Sequence, residues 1–374
     1  MAIYFFIDSK GKSSANQYTF AFENDLFSPK DVEVIVKFRL RSFLGNLRAW
    51  LKYRFKVKFV LKVREGCAPI RGSSVFYFFN SVENVRLLKN REVKHIFFGH
   101  GESNKRASLH PMYRIYDYLL VAGPYASQRL QKYSLLNQAT AEQNVLDIGG
   151  AGVANVSTCN LRLLSSNSAS VSGNGLMYMP TWEGGTEAEN SSTLCEPQLL
   201  EFLVEAKNAF QADYIYLKPH PNIGSRLKQY KNSFASLVTK LSSKGLKVVF
   251  SENDLKLLPF VCRRNSKRLG CPEDTLQFAA AIVDVSAAET MAAKIGVPSI
   301  VLATAHSDLY APDSYLEEKG DSIIHLDKWD SMEKCAEFAA VQASEGYQDE
   351  FMMHFQKDGN RKFYQALERV AKSD

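Results

Sequence analysis

The chain has no apolar run of the roughly 18 residues that a membrane-crossing helix needs, and its 374 residues contain no Cys-x-x-Cys pair. The first lack excludes a helical span. The six cysteines stand apart at 67, 159, 195, 262, 271 and 335, a scatter that suits neither a zinc ribbon nor a disulfide scaffold. The expectation is reduced thiols, a cytoplasmic setting and no metal. Residues 1–9 are apolar but have no basic leader and no cleavage region, so they read as a strand and not as a signal peptide. No internal repeat is evident. One stretch also lacks acid altogether: between Lys37 and Lys62 there are nine Lys or Arg and no Asp or Glu.

That stretch places much of the net charge of +6. Its cations are Lys37, Arg39, Arg41, Arg48, Lys52, Arg54, Lys56, Lys58 and Lys62, and Arg64 continues the run. Phe43, Leu47, Trp50 and Leu51 fit one helical stripe, and residues 53–58 alternate as in a strand with one wet face. Two readings stand: a solvated face over a core-packed stripe, or a basic, aromatic-bearing surface that docks on an anionic membrane through residues 37–64. No nucleic-acid motif accompanies the charge, so no nucleic-acid partner is expected.

Hydrophobic content of 45% and charged content of 23% are those of a globular protein, and this length suits two domains. Strand and helix patterns alternate twice. In the first series, residues 74–80, 93–98, 116–121 and 144–148 read as strands, and 82–91 and 124–133 as helices. Gly149, Gly150 and Gly152 follow with a spacing that favours a packing turn over a dinucleotide loop. Residues 164–175, rich in Ser, Asn and Gly, read as a linker. In the second series, residues 176–179, 214–217, 247–250, 280–285 and 298–303 read as strands, and 199–210 and 234–243 as helices. The expectation is an α/β protein of two doubly wound Rossmann-like domains with a ligand cleft between them. The boundaries run 1–163 for a first domain that carries the basic segment, 164–175 for the linker, 176–330 for a second domain, and 331–374 for helices that could pack back across the domains.

Polar residues gather at strand ends, where α/β folds bind ligands. An apolar strand runs into Gly99-His100-Gly101 and reaches Lys105, and a second ends at Lys218-Pro219-His220-Pro221. Histidine takes a proton near neutral pH, and lysine suits a phosphate. Asp284, Ser286, Ala287 and Glu289 follow a third strand, where a serine and free amides at a helix start suit a phosphate. Thr181 sits in the loop after residues 176–179. Each has a plain alternative: the histidines can cap loops, Lys105 can be a surface cation, and Ser286 can cap its helix.

Four of these segments resemble one family. Residues 97–105 with Asp117-Tyr118, then Met177-Tyr178-Met179-Pro180-Thr181-Trp182, then Lys218-Pro219-His220-Pro221, then Ile282-Val283-Asp284-Val285-Ser286 are similar in kind and order to motifs of the CDP-glycerol glycerophosphotransferases. Those enzymes build poly(glycerol phosphate) in teichoic acids and capsules. The resemblance covers roughly residues 90–305. It implies a GT-B architecture, a CDP-linked polyol phosphate donor, a lipid-linked or glycan acceptor, and peripheral attachment at the inner face of the cell membrane. The chain departs from the pattern at Ala287, where the family has a second serine, and at Glu289, the nearest acid to an expected aspartate.

On that reading, His100 is the base on the acceptor hydroxyl and His220 assists the transferred phosphate or the departing CMP. Gly101, Lys105, Thr181, Lys218, Asp284, Ser286, Ala287 and Glu289 bind substrate, and no cofactor is required. The altered donor motif keeps a second reading open: a GT-B glycosyltransferase using a nucleotide-sugar donor in capsule or lipopolysaccharide synthesis.

Overall fold

A computed structural model describes residues 2–9, 15–64, 67, 71–99, 102–156, 160–165, 170–184, 191–269, 276–305, 307, 309–328, 333–344, 349–356 and 360–373. Contacts divide the chain into two compact units, the first made of residues 1–155, 310–314 and 354–374, the second of residues 156–309 and 315–353.

The first unit carries one parallel sheet of seven strands: β1 (Ile3–Ile7), β2 (Val32–Lys37), β3 (Lys56–Val60), β4 (Ser74–Tyr77), β5 (Lys94–Phe97), β6 (Tyr118–Val121) and β7 (Val145–Asp147). Their spatial order is β3-β2-β1-β4-β5-β6-β7. The helices between them are α1 (Asn16–Glu23), α2 (Leu40–Tyr53), α3 (Asn84–Leu87), α4 (Pro124–Lys132) and α5 (Gln138–Asn144). A parallel sheet covered on both faces needs strands that are apolar throughout. In β1, Tyr4, Phe5, Phe6 and Ile7 are all buried. Phe5 meets Phe27 and Phe78 with ring centroids 5.0 and 4.8 Å apart, which makes this core strongly aromatic.

The second unit carries eight strands: β8 (Leu161–Leu164), β9 (Asn174–Met179), β10 (Tyr214–Leu217), β11 (Val248–Ser251), β12 (Lys267–Arg268), β13 (Gln277–Asp284), β14 (Ser299–Ala303) and β15 (Ile323–His325). Their order is β12-β8-β11-β10-β9-β13-β14-β15. The six strands from β11 to β15 in that order run parallel, while β8 is antiparallel to β11 and to β12. The main helices here are α6 (Glu196–Ala209), α7 (Lys228–Ser243), α8 (Phe260–Asn265) and α9 (Ala288–Lys294). Four more follow along the chain: α10 (Asp313–Lys319), α11 (Glu333–Ala343), α12 (Glu350–Gln356) and, in the first unit, α13 (Arg361–Lys372).

The strand order reverses between β1 and β4 in the first sheet and between β9 and β13 in the second. Such switch points open crevices at the carboxyl ends of the strands.

The expected linker at 164–175 overlaps paired strands, since β8 ends at Leu164 and β9 begins at Asn174. The unit boundary falls earlier, between residues 155 and 156. The chain returns to the first unit at its end, where α13 buries Phe363, Ala366 and Val370 in the aromatic core. The glycine run forms a 3-10 turn, Gly149–Gly152, with every residue buried. A Cβ on Gly152 would lie 3.1 Å from Ile148 Cδ1, so the turn serves packing.

Candidate active site

In the first unit, the polypeptide leaves β5 through Phe98 and turns at Gly99, whose φ is +69°. That left-handed conformation favours glycine, so the sharp turn precedes the histidine. His100 and Gly101 lie outside the described residues. Lys105 is partly buried and opens a short 3-10 turn, Arg106–Leu109.

What the structure adds here is a buried polar group. Arg129, on α4, donates from Nη2 to Glu102 Oε1 at 2.6 Å and from Nη1 to Asn104 Oδ1 at 2.8 Å. The other Glu102 oxygen accepts the amide of Ala122 at 3.0 Å. These bonds pin the loop that follows His100 to the end of β6. Phe98, Gly99, Glu102, Tyr113, Ala122 and Arg129 help line a cavity of about 50 Å³ at these strand ends. Burial pushes the Tyr113 phenol up to about 12. At the switch point of this sheet, Asp8 follows β1 and accepts both Arg39 Nε at 2.8 Å and Nη2 at 3.1 Å.

In the second unit, residues from three strand ends converge on the switch point. Thr181 follows β9, and its amide donates to Asp284 Oδ2 at 2.7 Å. Asp284 ends β13, and its other oxygen accepts the amide of Ser192 at 3.2 Å. The carboxylate is buried and ties the two sides of the crevice together. His220 follows β10, and its amide donates to Pro180 O at 3.0 Å. Its ring stacks on Trp182, centroids 5.5 Å apart and 10° from parallel. Its Nδ1 accepts the amide of Asn222 at 3.2 Å, so the neutral ring carries its proton on Nε2.

Glu183 sets this loop. One carboxylate oxygen accepts the amides of Arg226 at 2.6 Å and Leu227 at 2.9 Å, and the other accepts Gly224 at 2.8 Å. Burial alone would raise this carboxyl, but these amides, together with its own, outweigh that and hold it below the usual range. A lone acid after a tryptophan carries no sequence signal for such a role.

Lys218 is pushed below the usual ammonium range by burial, and Asp254, in the 3-10 turn after β11, opposes that push. Burial in turn raises the Asp254 carboxyl to about 6.

At the start of α9, Ser286 Oγ accepts the amide of Ala288 at 3.2 Å. Of the amides expected to be open at this helix start, that of Ala288 is therefore engaged by the chain's own serine. Glu289 faces inward: it accepts the Tyr315 hydroxyl at 2.6 Å and lies 3.8 Å from Lys319, which pairs with Asp349 at 2.5 Å. Burial raises the Glu289 carboxyl, and Lys319 opposes the shift. Its contacts hold α9 against α10. Among the described residues, no cluster of three His, Cys, Asp or Glu is placed to hold a metal, and no helix is long and apolar enough to cross a membrane.

Solved structures match this chain over its full length. A structure of Arabidopsis thaliana UGT89C1 complexed with UDP-L-rhamnose is 11% identical, with a TM-score of 0.52, covering 99% of this chain and 98% of that one. A putative UDP-N-acetylglucosamine 2-epimerase from Listeria monocytogenes is 11% identical, with a TM-score of 0.51, covering 100% and 97%. The S. aureus MnaA–UDP structure is 10% identical, with a TM-score of 0.52, covering 100% and 99%. The architecture of this chain is that of the GT-B proteins. No protein-family model and no curated protein matches the sequence.

Proposed function

We propose that this protein is a transferase that takes its group from a nucleoside-diphosphate-linked donor, and that the group is a sugar. The convergence of Thr181, His220 and Ser286 on the switch point of the second unit carries the reading, with Lys218 on the same strand end as His220. Of the matched structures named above, two hold UDP or a UDP-sugar, which supports a nucleotide-linked donor. An acceptor hydroxyl attacks the anomeric carbon. The new glycosidic bond forms as the carbon–oxygen bond to the diphosphate breaks, and the nucleoside diphosphate leaves. His100 takes the hydroxyl proton. Lys105 pairs with acceptor charge, and Gly101 lets the backbone approach closely. The Lys218 ammonium, the Ser286 hydroxyl and the Ala287 amide meet donor phosphate oxygens, and His220 donates to the departing group from Nε2. Asp284 and Glu289 act on the donor through the elements they hold.

The order of the four family-like segments favours a second reading, transfer of glycerol phosphate or a related polyol phosphate. There the hydroxyl attacks the distal phosphorus of the CDP-linked donor and CMP leaves. In both readings the acceptor is a lipid-linked or glycan component of a cell-surface polymer. We place the enzyme peripherally, at the inner face of an anionic membrane, through residues 37–64.

Thermal protection by a nucleotide panel tests the proposal. Protection by a nucleotide sugar supports the first reading, and protection by CDP-glycerol or CDP-ribitol supports the second. A panel in which no nucleotide protects overturns both.

A further inference from the structure

Helix α2 is mounted with its apolar row facing away from the domain. Its buried residues are Ser42, Asn46 and Ala49. Asn46 Oδ1 accepts the buried Tyr18 hydroxyl at 3.2 Å, and Asn46 Nδ2 donates to Ser42 O at 3.1 Å. Trp50 and Tyr53 also pack against the aromatic core, so small, polar and aromatic side chains seat the helix, and its leucines do not. At 100° per residue, Leu40, Leu44, Leu47 and Leu51 fall within an arc of about 60° on the opposite side. Leu40 is 82% exposed, Leu44 62% and Leu51 47%. An ordinary surface helix has the reverse arrangement, leucines on the core and polar residues in water.

The leucine row is part of a larger patch. Phe43 is the middle of a chain of rings, 5.4 Å from Phe38 and 5.5 Å from Phe59. Phe38 and Phe59 are exposed, and Leu61, just past the edge strand β3, is 76% exposed. A contiguous apolar patch of this kind marks an interaction surface.

The charges around it identify the partner. Arg41, Arg48, Arg54, Lys56 and Lys62 are exposed, and among the described residues none of them has an acidic partner; Lys52 is committed to Glu23 at 3.4 Å. A protein partner would bring acids to specific cations, and lysine is depleted at the centre of such interfaces. Long, flexible cations without acidic partners beside exposed leucines fit a fluid anionic surface instead. Its side chains extend to the lipid headgroups while the leucines enter the boundary between headgroups and acyl chains.

We infer that α2 is a membrane-inserting helix, which seats on the domain through Ser42, Asn46 and Ala49 and buries Leu40, Leu44 and Leu51 in an anionic bilayer. The inference deepens the membrane placement proposed above and is independent of the donor.

The test is co-sedimentation of the full chain with phosphatidylcholine vesicles, with and without phosphatidylglycerol. The wild type binds the anionic vesicles, and salt weakens the binding without abolishing it. The triple variant Leu40→Asn, Leu44→Asn, Leu51→Asn keeps every charge and binds roughly 100-fold more weakly. The variant Arg41→Gln, Arg48→Gln, Arg54→Gln, Lys56→Gln loses the preference for phosphatidylglycerol. A wild type indifferent to anionic vesicles overturns the inference, as does a leucine variant that binds as tightly as wild type. So does a wild-type dimer that the leucine variant dissolves, which would assign the face to a second copy of the chain. A fluorophore attached at Leu44→Cys supplies a second readout if the triple variant fails to fold: a blue shift on adding anionic vesicles supports insertion, and an unchanged spectrum overturns it. Nucleotide protection of the leucine variant equals that of wild type, so a failure here is distinct from a failure of the donor reading.

Discussion

Glu183 brings one negative charge into the second unit, and three amides between Gly224 and Leu227 answer it. Removing a buried acceptor leaves its donors unpaired, at about 1–3 kcal/mol for each group that water cannot reach. Glu183→Ala should therefore destabilise the protein by about 2–4 kcal/mol, read by urea unfolding at pH 7. The carboxyl sits below its ordinary value of 4.5. Its stabilisation is thus present above that value and lost as pH falls through the lowered folded value. Glu183→Gln should flatten the acid limb of the stability curve, and an unchanged limb would place the pH dependence elsewhere. Asp254 has the opposite sense. With its carboxyl raised to about 6, it is neutral at pH 5 and charged at pH 7, where it offsets Lys218. Nucleotide affinity is expected to fall severalfold between pH 5 and pH 7. Asp254→Asn should remove that fall, as measured by calorimetric titration; a variant that keeps the same slope refutes the pairing.

The loop after β9 and the loop after β10 act as one element. Trp182 covers one face of the His220 ring, and Pro180 accepts the His220 amide at 3.0 Å. The stacking surface fixes where Nε2 points, and a small angular error at a reacting group is costly. Trp182→Ala is expected to lower turnover about tenfold or more, with nucleotide protection largely kept, while Trp182→Phe restores most of the rate. Equal turnover by wild type and the alanine variant would reduce the stack to packing. Helix α9 is held in a comparable way from behind. Glu289, Tyr315, Lys319 and Asp349 bind its inner side to α10. In the resemblance, Glu289 stood at a donor-binding position, and its inward contacts make it a support for the helix that carries Ser286.

Each unit has its own core, and the chain's last helix belongs to the first. Phe363 is fully buried there, its ring centroid 5.2 Å from Phe27 and 5.9 Å from Phe98. Phe363→Ala should cost about 3–5 kcal/mol. Hydrogen exchange read by mass spectrometry should show β1, β4 and β5 losing protection while β9 and β10 keep theirs. Equal loss in both sheets would mean that the two units open together.

The sequence by itself determined the class of fold and most of its strands. Parallel strands buried on both faces are short apolar runs, and such runs mark β5, β6, β9, β10, β13 and β14 without help from the rest of the chain. It also placed Thr181, His220, Asp284 and Ser286 at strand ends, because a polar residue after an apolar run is a local signal. Tertiary structure alone decided what depends on distant partners. β8 pairs antiparallel with β11 across more than eighty residues of chain, so residues near 164 that read as the start of a linker belong to a sheet. Glu183 finds its amides some forty residues downstream. Of the stripe expected in α2, Phe43, Leu47, Trp50 and Leu51, Trp50 packs on the core, whereas Leu51, with Leu40 and Leu44, is turned to the outside. Periodicity shows that a helix has an apolar side. Which side meets the core is settled by what is waiting there, and here Tyr18 offered a hydroxyl that Asn46 could accept.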